Sequence, residues 1–267
     1  MEDLRNIVLL IDADNTQLSK IESIIREIST HGRIVVKRAY GNWKKETLKN
    51  WENELKRLAI KAEQQFDYVS GKNATDMALV IDAVNLLHKK LYDAFVIVAS
   101  DSDYTPLAIN LHESGVYVMG VGEKKTPESF RNSCDEFVFL ENLSGTVKET
   151  IQNVEQKDSE EVTTVNVTET LSTEKDNIDE VHNLLQIAAE KYQDDEGYVN
   201  VSAAGQYIKR VKPDFDVRTF GYIKLPKLIE AFPEKYEMKR YPGKGKVTIV
   251  AYRCMISRTQ NENNPIS

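Results

Sequence analysis

The chain has 267 residues, of which 41% are hydrophobic and 29% are charged. This composition excludes collagen-like, low-complexity and fully disordered chains, and the length fits one large or two small domains. The apolar run at residues 7–11 is too short for a signal-peptide core or a membrane span, so we expect a cytoplasmic protein with no membrane partner. Two cysteines, Cys134 and Cys254, exclude a disulfide framework and a cysteine-based zinc site, so any metal must be held by oxygen.

The net charge of −7 is unevenly distributed along the chain. Residues 144–177 carry 3 basic and 8 acidic side chains, whereas residues 178–267 carry 14 basic and 12 acidic ones. The overall charge opposes the binding of phosphates, but the C-terminal part is mildly basic and interleaves lysine and arginine with tyrosine and phenylalanine. A nucleic-acid partner is therefore compatible with the local charge of that part.

Strand and helix signals alternate in the first half of the chain. Apolar runs typical of buried strands occur at residues 7–11, 34–36, 66–69, 95–98, 116–121 and 137–139. Apolar residues at helical spacing predict helices over residues 18–28, 48–59, 77–91 and 104–112. This alternation predicts an α/β domain with a doubly wound, mostly parallel sheet, a fold in which ligands bind at the carboxyl ends of the strands.

The middle segment, residues 144–177, has 8 acidic side chains and no aromatic residue, so it cannot bury enough apolar area to offset its ordering entropy. We interpret it as a flexible linker between a domain of residues 1–143 and a domain of residues 178–252, which a tail of residues 253–267 follows. In the second domain, three helical patterns precede two strand-like runs joined by a glycine-rich turn. This order predicts a small α+β winged-helix domain.

Aspartates follow three of the predicted strands, at the points where the strands end. They are Asp12 and Asp14 after the first strand, Asp76 after the third, and Asp101 and Asp103 after the fourth. Converging carboxylates raise one another's pKa unless a cation neutralises them, and an all-oxygen cluster suits Mg²⁺ or Mn²⁺. Such an ion could activate a water molecule and stabilise charge on a phosphodiester. Helix capping explains one acidic residue at each place, but it does not require a surplus of five at one edge.

Four motifs of this half resemble those of a known family. They are Ile11-Asp12-Ala13-Asp14-Asn15, Gly71-Lys72-Asn73-Ala74-Thr75-Asp76, Ser100-Asp101-Ser102-Asp103-Tyr104-Thr105-Pro106-Leu107 and Cys134-Asp135-Glu136-Phe137. Together they resemble the NYN domain of the LabA-like (DUF88) family, a branch of the PIN-like nucleases, over about residues 1–143. Many relatives have glycine at the place where this chain has Ser100.

This resemblance implies a divalent-metal-dependent ribonuclease, an enzyme that hydrolyses RNA phosphodiesters. The implied catalytic and metal-binding residues are Asp12, Asp76, Asp101 and Asp103. Asn15 would orient the site, whereas Asp14 falls where the family is less strict and ranks below the other four. The implied cofactor is Mg²⁺ or Mn²⁺.

Two other functions stay open. Asp12, Asp14 and Thr16 also match the D-x-D-x-T pattern of haloacid-dehalogenase-type phosphohydrolases, in which Asp12 would be the nucleophile and Asp14 the acid and base. The later acidic pair of that family is usually spaced more widely than Asp101 and Asp103, and a cap domain has no obvious place. In the second alternative the acidic site is catalytically silent, and the protein is a regulatory adaptor that binds RNA or a protein partner.

Basic residues near the same predicted edge could guide an anionic strand toward the carboxylates. They are Lys44, Lys45, Lys72, Lys124, Lys125 and Arg131. Lys72 and Arg131 are the strongest candidates for RNA contacts, although each of the six could also be ordinary solvated surface. Trp43 could stack on a base, or it could pack at the edge of the sheet.

Segments of the C-terminal part resemble the OST-HTH or LOTUS domain over about residues 178–252. The segments are Gly197-Tyr198-Val199, Gly205-Gln206-Tyr207-Ile208, Pro213-Asp214-Phe215-Asp216 and Phe220-Gly221-Tyr222-Ile223-Lys224-Leu225. The resemblance implies a winged helix that binds RNA, single-stranded or structured, or a protein partner. Candidate RNA contacts are Arg218, Tyr222, Lys224 and Lys227 near the third helix, and Lys244 and Lys246 on the wing. Alternatively, Tyr222 and Phe220 fill a small core and the lysines are merely solvated.

Overall fold

The computed structural model describes residues 4–66, 74–143, 168–243 and 248–255, with side chains described from residue 178 onward in the helix that begins at residue 168. The chain divides into two compact units. One comprises Met1–Gly145 with Lys212–Asp214, and the other comprises Thr146–Val211 and Phe215–Ser267. No helix within the described ranges combines the length and the apolar character that crossing a bilayer requires.

The first unit contains a six-stranded sheet. Its strands are β1 (Leu4–Asp12), β2 (Gly32–Gly41), β3 (Lys61–Gln64), β4 (Ala94–Val98), β5 (Tyr117–Gly122) and β6 (Glu136–Phe139). Their order across the sheet is β3-β2-β1-β4-β5-β6, and every neighbouring pair is parallel. The predicted doubly wound parallel sheet is confirmed.

Helices cover both faces of this sheet. They are α1 (Ile21–Ile28), α2 (Trp51–Arg57), α3 (Ala74–Leu87), α4 (Thr105–Glu113) and α5 (Glu128–Asn132). Because successive strand residues point to opposite faces, β1 contributes to two cores. Ile7, Leu9 and Ile11 pack on the face that α1 covers, whereas Val8 and Leu10 pack on the face that α3 and α4 cover. This double burial explains the continuous apolar run of β1.

The third strand differs from its prediction. β3 ends at Gln64, before the apolar run at residues 66–69, and residues 67–69 of that run lie outside the described part of the chain. β3 pairs with β2 alone among the described strands, so it is an edge strand there. Its side chains are exposed or half-exposed, and the strand therefore has no apolar signal in the sequence.

The strand order reverses between β1 and β4. The chain runs outward from β1 through β2 to β3 and then returns to β4 on the other side of β1. In open parallel sheets, ligands bind at the carboxyl ends of the strands at such a reversal. Asp12 is the last residue of β1, and Asp101 follows the end of β4 closely. The topology therefore brings two of the predicted site residues to the same crevice.

The second unit consists of helices and an antiparallel sheet. Its elements are α6 (Thr168–Tyr192), β7 (Val199–Asn200), α7 (Val201–Val211), α8 (Leu225–Glu230), β8 (Tyr236–Pro242) and β9 (Thr248–Cys254). The strand order is β7-β9-β8, and residues such as Val181, Leu185, Ile208, Ile229 and Tyr252 form the core. The predicted small α+β domain with a hairpin is confirmed.

The helix bounds of this unit differ from the predicted ones. α6 begins at Thr168, inside the segment predicted as a linker up to residue 177. Residues 168–177 contain a single hydrophobic residue, Leu171, so apolar spacing could not reveal this first part of the helix. The remainder of the predicted linker, residues 144–167, lies outside the described residues. The predicted third helix is the shorter α8, which a 3₁₀ helix at Val217–Phe220 precedes.

Candidate active site

Asp12 ends β1 and is fully buried. Its Oδ1 atom accepts hydrogen bonds from the backbone N–H groups of Asp14 and Asn15, at N···O distances of 3.1 and 3.3 Å. Its Oδ2 atom accepts a third hydrogen bond, at 2.9 Å, from the Nδ2 atom of Asn15. The turn that follows β1 therefore folds around this carboxylate and fixes its orientation. Asn15 lies where its predicted orienting role requires it.

The pKa of Asp12 is raised to about 6, chiefly because the carboxylate is buried. The hydrogen bond from Asn15 opposes this rise, whereas the negative charges of Asp76 and Asp14 add to it. At neutral pH this site therefore holds a charge that its surroundings only partly stabilise. A cation beside Asp12 would offset the free-energy cost of burying this negative charge.

Asp76 lies in the first turn of α3, and the other predicted aspartates surround it. Burial raises its pKa, and the charges of Asp101, Asp103 and Asp14 raise it further, while a hydrogen bond from Tyr104 lowers it. The charge of Asp76 acts in turn on the pKa of Asp12. The other four predicted aspartates therefore all lie within electrostatic reach of Asp76.

Asp101 and Asp103 occupy the exposed side of this cluster. Asp101 caps a 3₁₀ helix, Ser102–Tyr104, by accepting a hydrogen bond from the backbone N–H of Asp103 at 3.1 Å. Asp14 is already held by the protein, because its Oδ1 atom lies 3.1 Å from Nζ of Lys45 and its Oδ2 atom accepts a hydrogen bond from Thr75 at 2.9 Å. The ranking of Asp14 below the other four aspartates stays a prediction.

Tyr104 is a site residue that the sequence analysis missed. Its buried hydroxyl lies 2.7 Å from Oδ1 of Asp76 and 3.1 Å from Oδ2 of Asp12, so it links the end of β1 to the start of α3. Burial and the two carboxylates raise the pKa of this hydroxyl. In the sequence its ring is simply the first apolar residue of the α4 pattern. Its two partners lie 92 and 28 positions away along the chain, so no local pattern in the sequence indicates these contacts.

The donor set of the cluster suits a hard divalent cation, since all its ligands would be carboxylate oxygens. Among the described residues, no three histidine, cysteine, aspartate or glutamate side chains already form a metal-binding group. Mg²⁺ usually binds through one or two carboxylates and keeps several water ligands, so such a group is not required. The raised pKa values of Asp12 and Asp76 are the feature that a cation would relieve.

We expect Tyr104→Phe to lower Mn²⁺ affinity by about 10- to 100-fold, because Asp12 and Asp76 lose the hydroxyl that positions them. Tyr40→Phe is a matched control, since Tyr40 is also buried and donates its hydroxyl proton to Asp82, outside the cluster. Mn²⁺ titration and thermal unfolding of both variants separate the two effects. Equal losses of stability and of Mn²⁺ affinity in both variants would contradict the positioning role.

The predicted RNA contacts of the first unit have different surroundings. Arg131 lies in α5, with its guanidinium carbon 5.8 Å from the ring centroid of Phe139, and Lys72 lies outside the described residues. The indole N–H of Trp43 donates to the carbonyl of Glu63 at 3.0 Å. Trp43 also packs against the core, so the structure favours its edge-packing interpretation.

The predicted contacts of the second unit cluster around α8. Arg218 donates to the carboxylate of Asp216, and Tyr222 is half-buried against the core. Lys224 precedes α8 and Lys227 lies on it, and both are exposed. Lys244 and Lys246 lie outside the described residues. Among the described members, Arg218 is therefore paired with Asp216, Lys227 is paired with Glu230, and Lys224 is exposed just before α8.

A parallel α/β sheet with acidic residues at its switch point is the architecture of PIN-like nuclease domains, and the comparison with known families agrees. Residues 6–141 match the NYN domain, and residues 174–248 match the OST-HTH/LOTUS domain. The chain belongs to the NYN domain family and carries an OST-HTH/LOTUS domain after it. The NYN domain is a nuclease-type domain, and the OST-HTH/LOTUS domain is an RNA-binding module.

Similar solved structures include two proteins of unassigned activity. A protein of unknown function from Vibrio parahaemolyticus is 15% identical, with a TM-score of 0.43 over 52% of this chain and 94% of its own. An uncharacterized protein from Nitrosomonas europaea is 20% identical, with a TM-score of 0.28 over 45% of this chain and 100% of its own. No curated protein sequence matches the chain.

Proposed function

We propose that this protein is a divalent-metal-dependent ribonuclease that hydrolyses RNA phosphodiesters. The observation that carries the proposal is the gathering of five aspartates, four of which follow β1 and β4 while Asp76 lies in the first turn of α3. Among them, buried Asp12 is held at a raised pKa of about 6. Such a concentration of negative charge is costly in the folded protein without a cation. The nuclease-type NYN fold and the attached RNA-binding module support RNA as the substrate.

In the proposed site, Asp12, Asp76, Asp101 and Asp103 hold Mg²⁺ or Mn²⁺. When bound, the ion would supply an activated water molecule and neutralise charge on the phosphodiester. The residues of the chain supply the positioning. The amide of Asn15 and the N–H groups after β1 hold the Asp12 carboxylate, and the Tyr104 hydroxyl fixes Asp12 relative to Asp76.

The second unit would supply affinity for the substrate. Lys224 is exposed just before α8, where it can contact a phosphate, and Lys227 on α8 would exchange its ion pair with Glu230 for a phosphate contact. Because both units belong to one chain, RNA held by one is presented to the other at a raised effective concentration. Because contacts with phosphates weaken as the salt concentration rises, salt should weaken the binding of RNA by the whole chain.

The burial of Asp12 bears on the phosphohydrolase alternative. A nucleophilic aspartate needs a free oxygen facing the substrate, but Asp12 is fully buried and both of its oxygens accept hydrogen bonds. A metal ligand needs a free lone pair on the same oxygens as well, so the phosphatase assay below, and not this geometry, separates the two roles.

The test is cleavage of end-labelled single-stranded RNA by the full chain in Mn²⁺, in Mg²⁺ and in EDTA. Hydrolysis of p-nitrophenyl phosphate and RNA binding in EDTA are measured in parallel. We expect RNA cleavage with either metal ion, none in EDTA, and no phosphatase turnover. Phosphatase turnover without RNA cleavage would return Asp12 to the nucleophile's role, and intact RNA binding without either reaction would identify an adaptor.

A further inference from the structure

A second feature of the carboxyl edge lies beside the acidic cluster, at the ends of β2 and β3. Gly41 and Gln64, the last residues of these strands, are paired, and the N–H of Gln65 donates to the carbonyl of Gly41 at 3.0 Å. Lys44 lies three residues after the end of β2, and Phe66 lies two residues after the end of β3. Asp12 at the end of β1 is paired with Tyr40 of β2, and β2 is paired with β3, so the ends of β1 and β3 lie about 10 Å apart across the sheet.

Phe66 is a large apolar side chain that the fold leaves uncovered by the described residues. Its exposed fraction is 51%, and the Nζ atom of the exposed Lys44 lies 5.0 Å from the centroid of its ring. The ammonium group lies over one face of the ring, so a base can stack on the opposite face while the ammonium offers its phosphate a counter-charge. Proteins that bind single-stranded nucleic acids combine the same two groups.

The loop that carries Lys44 is fixed by the neighbouring strand. The backbone N–H of Trp43 donates to Oε1 of Gln64 at 3.1 Å, and its indole N–H donates to the carbonyl of Glu63 at 3.0 Å. The Nε2 atom of Gln64 donates in turn to Oδ1 of Asn42 at 3.1 Å. These bonds tie the loop after β2 to the end of β3, so the backbone that carries Lys44 is held against that strand before any ligand arrives.

We propose that Phe66 and Lys44 form a subsite for one unpaired nucleotide, with the base stacked on Phe66 and the phosphate contacted by Lys44. This inference rests on the proposed ribonuclease function and specifies its substrate as single-stranded RNA. In a duplex, the faces of the bases are covered by their neighbours, so a base inside a helix cannot stack on this ring.

The intrinsic fluorescence of the tryptophans can report the binding of RNA near this subsite, because both tryptophans belong to the first unit. The two tryptophans of the chain are Trp43 and Trp51, which are neighbours with ring centroids 6.0 Å apart. Trp43 directly precedes Lys44, so a base stacked on Phe66 should alter tryptophan emission. A hexameric single-stranded RNA is titrated into the full chain in EDTA, so that binding is measured whether or not the protein cleaves RNA.

We expect Phe66→Ala and Phe66→Leu to weaken this binding by roughly tenfold, and Phe66→Tyr to bind like the wild type, because stacking needs the ring and not merely an apolar side chain. Lys44→Ala should reduce the slope of log K against log salt by about 0.7, the value for one phosphate contact on a single strand. Lys49→Ala is the control, since Lys49 is exposed nearby but paired with Glu46.

Three results would overturn the subsite: no fluorescence response to RNA in the wild type, equal binding by Phe66→Leu and the wild type, or an equal response to duplex RNA. Failure of the ribonuclease proposal looks different. In that case the fluorescence response and its loss in Phe66→Ala persist, while the cleavage assay in Mn²⁺ gives no products.

Discussion

Asp101→Asn is expected to lower the rate of metal-dependent RNA cleavage by at least about 100-fold while leaving the fold intact. The substitution removes one of the charges that would hold the cation, and a metal ligand of this kind contributes several kcal/mol to catalysis. The new asparagine keeps an Oδ1 atom, so it can still accept the N–H of Asp103 and cap the 3₁₀ helix. The side chain is exposed, so no core contact is lost.

The control for this variant is Asp93→Asn, at the opposite end of β4. Asp93 accepts the backbone N–H of Asn6 at 2.8 Å, a bond that an asparagine oxygen can also accept. We expect Asp93→Asn to cleave RNA at the wild-type rate. The two variants, prepared identically and assayed in Mn²⁺ with labelled RNA, also reveal any contaminating nuclease. Equal cleavage by both would place Asp101 outside the catalytic site.

Asp12→Asn is expected to make the metal-free protein more stable at neutral pH. The pKa of Asp12 is raised from 3.8 to about 6 in the folded protein, so the folded state binds the proton more tightly than the unfolded state does. The stability that this carboxyl contributes is therefore fully present below about pH 4, falls as the pH rises through about 6, and is lost above that. An asparagine has no charge to bury.

The expected gain at pH 7.5 in EDTA is on the order of 1–3 kcal/mol, and it should vanish below about pH 4. Asn15 can turn its amide and Tyr104 its hydroxyl to meet the new side chain. Thermal unfolding across this pH range measures the effect. Mn²⁺ should raise the melting temperature of the wild type but not that of Asp12→Asn, because only the wild type retains the ligand. A variant that is less stable than the wild type at pH 7.5 would show that the charge of Asp12 is already compensated.

The features that could be predicted from the sequence are those that depend on burial and on where the parallel strands end. The apolar run of β1 was visible because both of its faces are covered, and the aspartates after β1 and β4 could be placed at one edge because parallel strands end together. β3 was not visible, because an edge strand with exposed side chains has no apolar pattern.

Contacts between segments that are distant along the chain could not be predicted from the sequence. The link from Tyr104 to Asp12 joins residues 92 positions apart, and the ion pair of Lys45 with Asp14 joins residues 31 positions apart. Neither has a periodic signal. The roles of the four aspartates, the identity of the cofactor and the cytoplasmic location stay predictions.

The position of β4 beside β1 also determines when the acidic cluster can form. Val8 pairs with Phe95, so a long stretch of chain must be made before these two strands can meet. Pairings over such separations form slowly, because the entropy of closing the intervening loop comes first. Chains emerge from the ribosome N-terminal end first, at about 5–20 residues per second. A nascent chain therefore carries Asp12 for several seconds before Asp101 has been made, and the acidic cluster forms only after the chain has been synthesised through β4.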